Sequence, residues 1–267
     1  MSDGTTGKVR LGGMALSNGV VVHGPTAWAA AVRTESGELK VVAARKKVLA
    51  ARVQLPFLRG PLRILESFAF LPELRRRLPE ARLPFERPAV LAATVASAVT
   101  VQVVRRAPNL GVAARELAAG AISLAPALMA LRGGELASYH GAEHVTIGSY
   151  EHDEPRAREH ERCGSHLIGP LLAASSAANV LTGHAPPNVR GAARIAGSLG
   201  AIGTAVEVFG WMTRNPEHPL ARALARPGHE LQHRLATAEP SAEQLEVAEA
   251  ALAACLELED DGDRAAT

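Results

Sequence analysis

The sequence predicts an α+β protein with a small β-rich N-terminal region, a mostly α-helical bundle embedded in a membrane, and a C-terminal amphipathic helix. Three observations lead to this prediction. Short β-branched runs separated by turn-forming residues fill the early part of the chain. Uncharged stretches rich in Ala, Leu and Gly follow, and a helix-capping signature near the end opens an amphipathic pattern.

The predicted sheet has three or four strands and lies within residues 8–58. Its strands are short apolar or β-branched runs, namely Val20–Val22, Ala27–Val32 and Leu39–Ala43. Turn-forming pairs punctuate these runs as hairpin turns do, namely Gly12-Gly13, Asn18-Gly19, Gly24-Pro25 and Ser36-Gly37. Apolar residues spaced three apart from Leu62 to Leu71 predict one linking helix before Pro72. These elements make up a first region, residues 1–87.

Residues 88–214 are expected to form a helical membrane region. Its uncharged stretches are Pro88–Val104, Leu117–Leu131, Cys163–Val189 and, apart from Glu207, Ile195–Thr213. A membrane helix needs ~20 apolar residues. The first and last stretches nearly reach that length, the second is shorter, and prolines and histidines interrupt the third. Small residues suit close helix packing in lipid but also suit a soluble bundle, so hydropathy alone leaves both settings open.

Residues 215–267 form a C-terminal helical tail in which mixed charge returns. Ser241 and Gln244 have the spacing of a capping box, and the amphipathic helix that follows is expected to end before Glu259. The net charge of +2 argues against a nucleic-acid partner. Two cysteines argue against a disulfide scaffold and fit a reducing compartment. The basic runs at 45–47 and 75–77 fit a solvated face. Beside a membrane they would also mark the cytoplasmic side, which predicts a cytoplasmic N-terminal region.

The stretch YHGAEH, residues 139–144, predicts a metal site. On a helix, His140 and His144 lie one turn apart on one face, and two imidazoles at that spacing can bind one ion, with zinc preferred. The pattern HxxEH is the inverted form of a zinc-protease motif, in which the glutamate, here Glu143, is the general base. The alternative is a pair of histidines satisfied by hydrogen bonds within a helical bundle.

A second pair of candidate ligands, His160 and Cys163, follows three residues apart. The pair could share a helix face near the first pair, across a predicted loop from Val145 to Glu159. On its own, Cys163 also fits a small buried apolar residue. Four protein ligands would close the site and make it structural. The site stays open if His160 is not a ligand or if Cys163 is a nucleophile.

Two further features bear on this site. Glu207 is the one charge within its apolar stretch, so it is expected to face a cavity, a partner or a metal, and it is a candidate additional ligand. The alternative for Glu207 is an ion pair with Arg194 or Arg214. The stretch HELQH, residues 229–233, matches a zinc-protease motif literally, yet no third ligand is near it in sequence, which favours a polar helix face.

The chain resembles the YqhQ-like family of uncharacterised bacterial membrane proteins, which are described as metal-dependent enzymes. The matching stretches include LGGMALSNGVVVHGP (11–25), PFLRGPLRILES (56–67), YHGAEH, HERCG (160–164) and the tail from Asn215 to Leu252. The resemblance implies a β-rich N-terminal region, a membrane region and a C-terminal helix. It supports His140, Glu143, His144, His160 and Cys163 as the site and Glu207 as an expected acid. The chain departs from the family at Asn18, His23 and Val145.

Two functions stay open on the sequence. The first is a metal-dependent enzyme of the bacterial cytoplasmic membrane, a hydrolase with zinc as its divalent ion and Glu143 as its base. The second is a membrane scaffold or assembly factor in which a closed His/Cys zinc site is structural. The substrate, the protein partner and the oligomeric state cannot be read from the sequence.

Overall fold

The computed structural model of this chain describes residues 8–46, 62, 65–66, 68–131 and 134–266. An antiparallel sheet opens the fold, with strands β1 (Gly12–Leu16), β2 (Gly19–His23), β3 (Ala27–Arg33) and β4 (Leu39–Arg45) in sequence order. The predicted β-rich region is therefore confirmed as four strands. Gly12-Gly13 was wrongly assigned to a turn, because both residues lie in β1 and pair with His23 and Val22 of β2.

The helices follow the sheet in a continuous order. Helix α1 is Leu71–Arg77, and the linking helix expected before Pro72 lies largely outside the described residues. The others are α2 (Pro88–Arg106), α3 (Val112–Leu131), α4 (Glu135–His152), α5 (Ile168–Gly183), α6 (Arg190–Arg214), α7 (Pro219–Leu231) and α8 (Ala242–Ala266). Short 3-10 helices are Pro84–Glu86 and Gly164–Leu167, and a π-turn is Gln232–Ala236.

The sheet is covered on both faces, because successive side chains of a strand point to opposite sides. One face packs on α4 and α8, where Val20, Val22 and Ala29 meet Ile147 and Val247. The other face packs on α1. There Trp28 stacks on Phe70, which precedes the helix, with their ring centroids 5.3 Å apart, and Leu74 completes the cluster. Burial of each large apolar side chain contributes roughly 1.5–3 kcal/mol, so this two-sided core anchors α4.

Three helices are long and apolar enough to cross a membrane, with candidate spans at Pro88–Arg106, Ala114–Leu131 and Arg190–Arg214. Between 11% and 22% of the residues in their apolar windows are buried within the protein. Large exposed apolar surfaces of this kind mark sites of interaction with a membrane or another protein. Together with their length and composition, the three candidate spans indicate membrane association.

Helix α8 begins at the predicted capping box. The Gln244 amide donates to Ser241 Oγ (3.3 Å), and the Ser241 amide donates to Gln244 Oε1 (2.9 Å). The prediction that this helix ends before Glu259 was wrong, because it continues to Ala266. Glu259 is buried and accepts hydrogen bonds from the Thr26 and Ala27 amides at the β2–β3 turn (2.8 and 2.7 Å), so the acidic residue joins the helix to the sheet.

Candidate metal centre

Helix α4 carries the YHGAEH stretch through the interior. Gly141 lets the segment before α8 approach closely, since a Cβ atom there would come within 2.1 Å of the Ala238 carbonyl oxygen. The same contact is held by a hydrogen bond from the Ala238 amide to the Ala137 carbonyl (2.9 Å). As predicted, His140 and His144 share one helix face, with ring centroids 4.3 Å apart.

Three of the four predicted ligands come together. His140, His144 and Cys163 each offer one ligand atom, and these atoms all lie within 4.8 Å of one another. Cys163 Sγ is 3.7 Å from His140 Nε2. Among the described residues this His/Cys cluster could hold a metal ion, and its imidazole and thiol donors are those that zinc prefers.

Both imidazoles of the cluster are oriented by backbone carbonyls. The Nδ1 atom of His140 donates to Ala236 O (2.8 Å), and Nδ1 of His144 donates to Arg158 O (2.7 Å). A carbonyl oxygen only accepts, so Nδ1 carries the proton in each neutral ring and Nε2 keeps its lone pair. Such outer hydrogen bonds fix the ring orientation and tautomer that a metal-binding histidine needs.

Protonation in the cluster follows from its burial. Burial, and after it the charge of the neighbouring His140, together lower the pKa of His144 to about 2. That imidazole therefore stays neutral, as a ligand must be. Burial also raises the pKa of the Cys163 thiol above its usual range. A metal ion binding to Cys163 must therefore displace a proton from the thiol.

Glu143 lies beside the cluster without being part of it. Its Oε2 atom is 3.9 Å from His140 Nε2, and the side chain is 8% exposed. Burial raises the pKa of Glu143 to about 7, opposed mainly by His140. Strand β1 covers this carboxylate, because a Cβ atom on Gly13 would come within 2.3 Å of Glu143 Oε1. No local pattern predicts this contact, because Gly13 and Glu143 are so far apart in the chain.

His160 sits next to the cluster but bonds elsewhere. Its ring centroid is 5.5 Å from that of His144, while its Nε2 atom lies 3.3 Å from Glu151 Oε2. Neither His160 nor Cys163 lies in an α-helix, contrary to the expected shared helix face. The predicted loop from Val145 was also wrong at its start, since α4 continues to His152. The ligand role of His160 stays a prediction.

Glu207 lies within α6, a candidate membrane span, and is half-buried. It is not a member of the His/Cys cluster. In the described part of the chain it also makes no ion pair with Arg194 or Arg214. Its expected role as an additional ligand therefore stays a prediction.

The HELQH stretch contributes an amide rather than a metal ligand. Gln232 is fully buried, accepts from the His160 amide (2.8 Å) and donates to Ser165 Oγ (2.8 Å) and His166 Nε2 (2.9 Å). His233 bonds Glu159 instead, at 2.9 Å between Nδ1 and Oε1. Gln232 thus fixes the segments on both sides of Cys163. Its role was not predicted from the sequence, because its position depends on the π-turn.

One family model matches the chain, described as a protein of unknown function (DUF1385), over residues 134–258. That range begins at the residue before α4 and includes all the candidate site residues. No curated protein and no solved structure matches the chain.

Proposed function

We propose that this protein is a membrane-associated, zinc-dependent hydrolase. One observation carries the proposal: three ligand atoms gather within 4.8 Å, and a buried carboxylate, Glu143, lies beside them and outside their set. Catalytic zinc sites use three protein ligands and keep a fourth position free, whereas structural sites are closed by four. The arrangement of His140, His144 and Cys163 has the catalytic count.

The donor atoms fit zinc in particular. Two imidazole nitrogens and a thiolate suit a borderline-soft ion, whereas magnesium and calcium prefer oxygen ligands. When bound, zinc supplies Lewis-acid chemistry that acidifies water and polarises the bond to be cleaved.

The residues of the chain supply the proton chemistry. Glu143 is proposed to take the proton from the attacking water and to pass it to the leaving group, as a general base and then a general acid. Its pKa, raised to about 7 by burial, matches this role, because a base works best when its pKa is near the working pH. Gly13 leaves room for the carboxylate, because a Cβ atom there would lie 2.3 Å from Glu143 Oε1.

The proposed location is the bacterial cytoplasmic membrane, with the N-terminal region on the cytoplasmic side. Three apolar helices support a membrane location. Basic residues near the start of the first candidate span, Arg75–Arg77 and Arg87, support the orientation, because cytoplasmic segments flanking membrane helices are enriched in Lys and Arg. The resemblance to YqhQ-like proteins supports a bacterial source.

A second function has its own observation. The ring of His160 lies 5.5 Å from that of His144, so a rotation away from Glu151 would bring a fourth ligand to the cluster. A closed His3Cys site of this kind would be structural, and the protein would then be a membrane scaffold or assembly factor.

Metal content tests the proposal on the full-length protein in detergent. We expect about one zinc per chain in the wild type and in Glu143→Gln, and loss of metal in His144→Ala and Cys163→Ala. His184→Ala is the matched control, because its side chain is exposed and bonds Val180 O alone among the residues that the structure describes. Absence of metal from the wild type after zinc reconstitution would overturn both functions.

Cobalt substitution separates the open site from the closed one. A thiolate-to-cobalt charge-transfer band is expected in the wild type and not in Cys163→Ala. Added acetohydroxamate should shift the visible d–d bands of an open site, because it enters the free position. If the bands do not shift and His160→Ala loses the metal, the structural function is correct and the hydrolase proposal fails.

A further inference from the structure

A cavity lies where the sheet meets the candidate membrane helices. Its volume is about 420 Å³. It opens between the β1–β2 turn, the start of α2 and the start of α4. The residues that line it are Ser17, Arg82, Leu83, Glu86, Arg87, Gly134, Glu135 and Leu136.

This cavity is distinct from the His/Cys cluster but lies along the same two elements. Strand β1 leads from Gly13, which covers Glu143, to Ser17, which lines the cavity, and four residues of strand span roughly 13 Å. Helix α4 leads back from Glu143 to Glu135 over roughly 12 Å. The separation along β1 and the separation along α4 agree, so the cavity lies about one strand length from the metal centre.

The groups around the cavity favour a phosphate. Arg87 uses a single N–H to reach Ala130 O (3.3 Å), and a guanidinium has five. Arg82 pairs with Glu35, but both side chains are more than half exposed, and exposed pairs contribute only ~0–1 kcal/mol. The guanidiniums of Arg82 and Arg87 are therefore available for bidentate bonds to phosphate oxygens.

Two further features of the cavity wall also favour an anion. The start of α4 lines the cavity and has no side-chain cap, so its first amides and the positive end of its dipole favour an anion there. Ser17, at the end of β1, has a buried hydroxyl without a hydrogen-bond partner among the described residues. A buried polar atom of this kind costs roughly 1–3 kcal/mol unless a ligand or water satisfies it.

The acidic residues of the cavity wall favour a ligand that has a cationic group in addition to its phosphate. Glu86 is neutralised by Arg75, 3.1 Å away. Glu135 is exposed at the start of α4 and makes no ion pair within the described ranges. One free carboxylate beside two guanidiniums suits a molecule with a phosphate at one end and an amine at the other.

The position of the cavity indicates where that molecule comes from. Arg87 is the residue before α2, and Leu131 is the last residue of α3, so the cavity lies at the ends of two candidate membrane spans. Charged arginines at the end of a span belong at the level of the lipid head groups. A phosphate ester at this level reaches the cavity from the membrane.

We propose that the cavity binds a phosphate ester that carries an amine, in the form of a zwitterionic phospholipid head group. Arg82 and Arg87 hold the phosphate together with the α4 N-terminus and Ser17 Oγ, and Glu135 holds the amine. The site does not depend on the metal centre or on the proposed hydrolase activity.

Native mass spectrometry of the detergent-purified full-length protein tests this proposal. The probes are dihexanoyl phosphatidylethanolamine, dihexanoyl phosphatidylglycerol and soluble phosphoethanolamine. We expect the wild type to bind the phosphatidylethanolamine in preference to the phosphatidylglycerol. Arg82→Gln/Arg87→Gln should weaken this binding by roughly tenfold or more, because two charge-assisted contacts are lost. Arg222→Gln, an exposed arginine of α7 paired with Glu217, is the matched control and should bind as the wild type does.

Glu135→Gln tests the amine contact and should remove the preference between the two lipids. Binding of phosphoethanolamine that also depends on Arg82 and Arg87 would support the phosphate and amine contacts and make a soluble ester the source. If the phosphatidylethanolamine does not bind, or the double variant binds it as tightly as the wild type, the site is overturned. Equal binding of both lipids by the wild type would overturn the role of Glu135.

Discussion

Gly13 and Glu143 are in such close contact that no side chain fits between them, since a Cβ atom on Gly13 would lie 2.3 Å from Glu143 Oε1. The contact joins the first strand of the sheet to the helix that carries the metal motif. The sheet therefore acts as a wall of the candidate site and fixes the direction of the carboxylate.

Gly13→Ala should destabilise the protein by about 1–3 kcal/mol, because the buried carboxylate cannot move aside without distorting its surroundings. Zinc content should stay close to that of the wild type, since the three atoms nearest the added methyl group all belong to Glu143 and not to a proposed ligand. Thermal unfolding and elemental analysis check both expectations. Gly111→Ala is the control, because nothing lies within 4 Å of its added Cβ atom. Equal unfolding midpoints for the two variants would mean that Glu143 is free to move.

Gln232→Leu should lower both stability and metal retention. The change leaves the His160 amide and Ser165 Oγ without their bonds to Gln232, at a cost of roughly 1–3 kcal/mol for each buried group. It also loosens the segment that positions Cys163, and loss of such outer contacts typically weakens metal binding 10–100-fold. Competition with a zinc chelator measures the affinity.

His229→Ala is the control for that change, because His229 belongs to the same HELQH stretch and lies outside the His/Cys cluster. Its metal affinity should equal that of the wild type. Metal loss in His229→Ala would instead restore HELQH as a metal motif.

Glu207→Gln should leave the metal content unchanged, because Glu207 lies outside the His/Cys cluster. Removing its charge should raise the unfolding midpoint in detergent, since an unpaired carboxylate in an apolar helix is costly. Elemental analysis and thermal unfolding read the two effects separately. A fall in zinc content would make Glu207 a ligand.

The stability of the sheet should depend on pH through His23. Burial, and after it the charge of Lys46, whose Nζ lies 2.8 Å from His23 Nδ1, together lower the pKa of His23 to about 4. As the pH falls, His23 therefore binds a proton in the unfolded chain before it does so in the folded protein. The stabilisation that is present above about pH 6.5 is lost as the pH falls towards 4.

His23→Gln should remove up to about 3 kcal/mol of this pH dependence. Unfolding midpoints of both proteins, measured across the window from about pH 7 to about pH 4, give the difference. The other histidines with lowered pKa values are common to both proteins, so they cancel in the comparison. Parallel curves would show that His23 is not held neutral in the folded state.

The sequence was sufficient wherever local patterns decide the structure. β-Branched runs between turn pairs predicted the strands, and the Ser241–Gln244 capping box predicted the start of α8. The four-residue spacing of His140 and His144 predicted their shared face, because helix geometry alone brings such residues together.

Contacts between distant segments could not be predicted in the same way. In the sequence, Gly13 has the pattern of a turn residue. The structure shows instead that Glu143 of α4 leaves no room for a side chain at this position. In the sequence, Glu259 has the pattern of a helix end. In the structure its carboxylate accepts hydrogen bonds from amides of the β2–β3 turn, and the helix continues past it. Cys163 approaches His140 from a loop whose course depends on Gln232, so its place in the cluster follows from tertiary structure and not from its spacing to His160.

The contact of α8 with the sheet limits how the chain crosses the membrane. Helices α1, α4 and α8 all pack against the sheet, so if the chain crosses a bilayer they must lie on one side of it. If both α2 and α3 cross, the chain leaves that side and returns to it, which agrees with the position of α4. A crossing by α6 alone would separate α8 from the sheet.

The number of crossings between the sheet and α8 must therefore be even, so α5 and α6 either both cross or both do not. If α6 crosses, α5 must cross as well, although its 16 residues span only ~24 Å and the bilayer must thin locally around it. Single cysteines at Asn109 and Asn188 should then react with an impermeant maleimide from the same side, and a cysteine at Ser36 from the opposite side. An even number of crossings would place the His/Cys cluster, the cavity at the start of α4 and both described ends of the chain in one compartment.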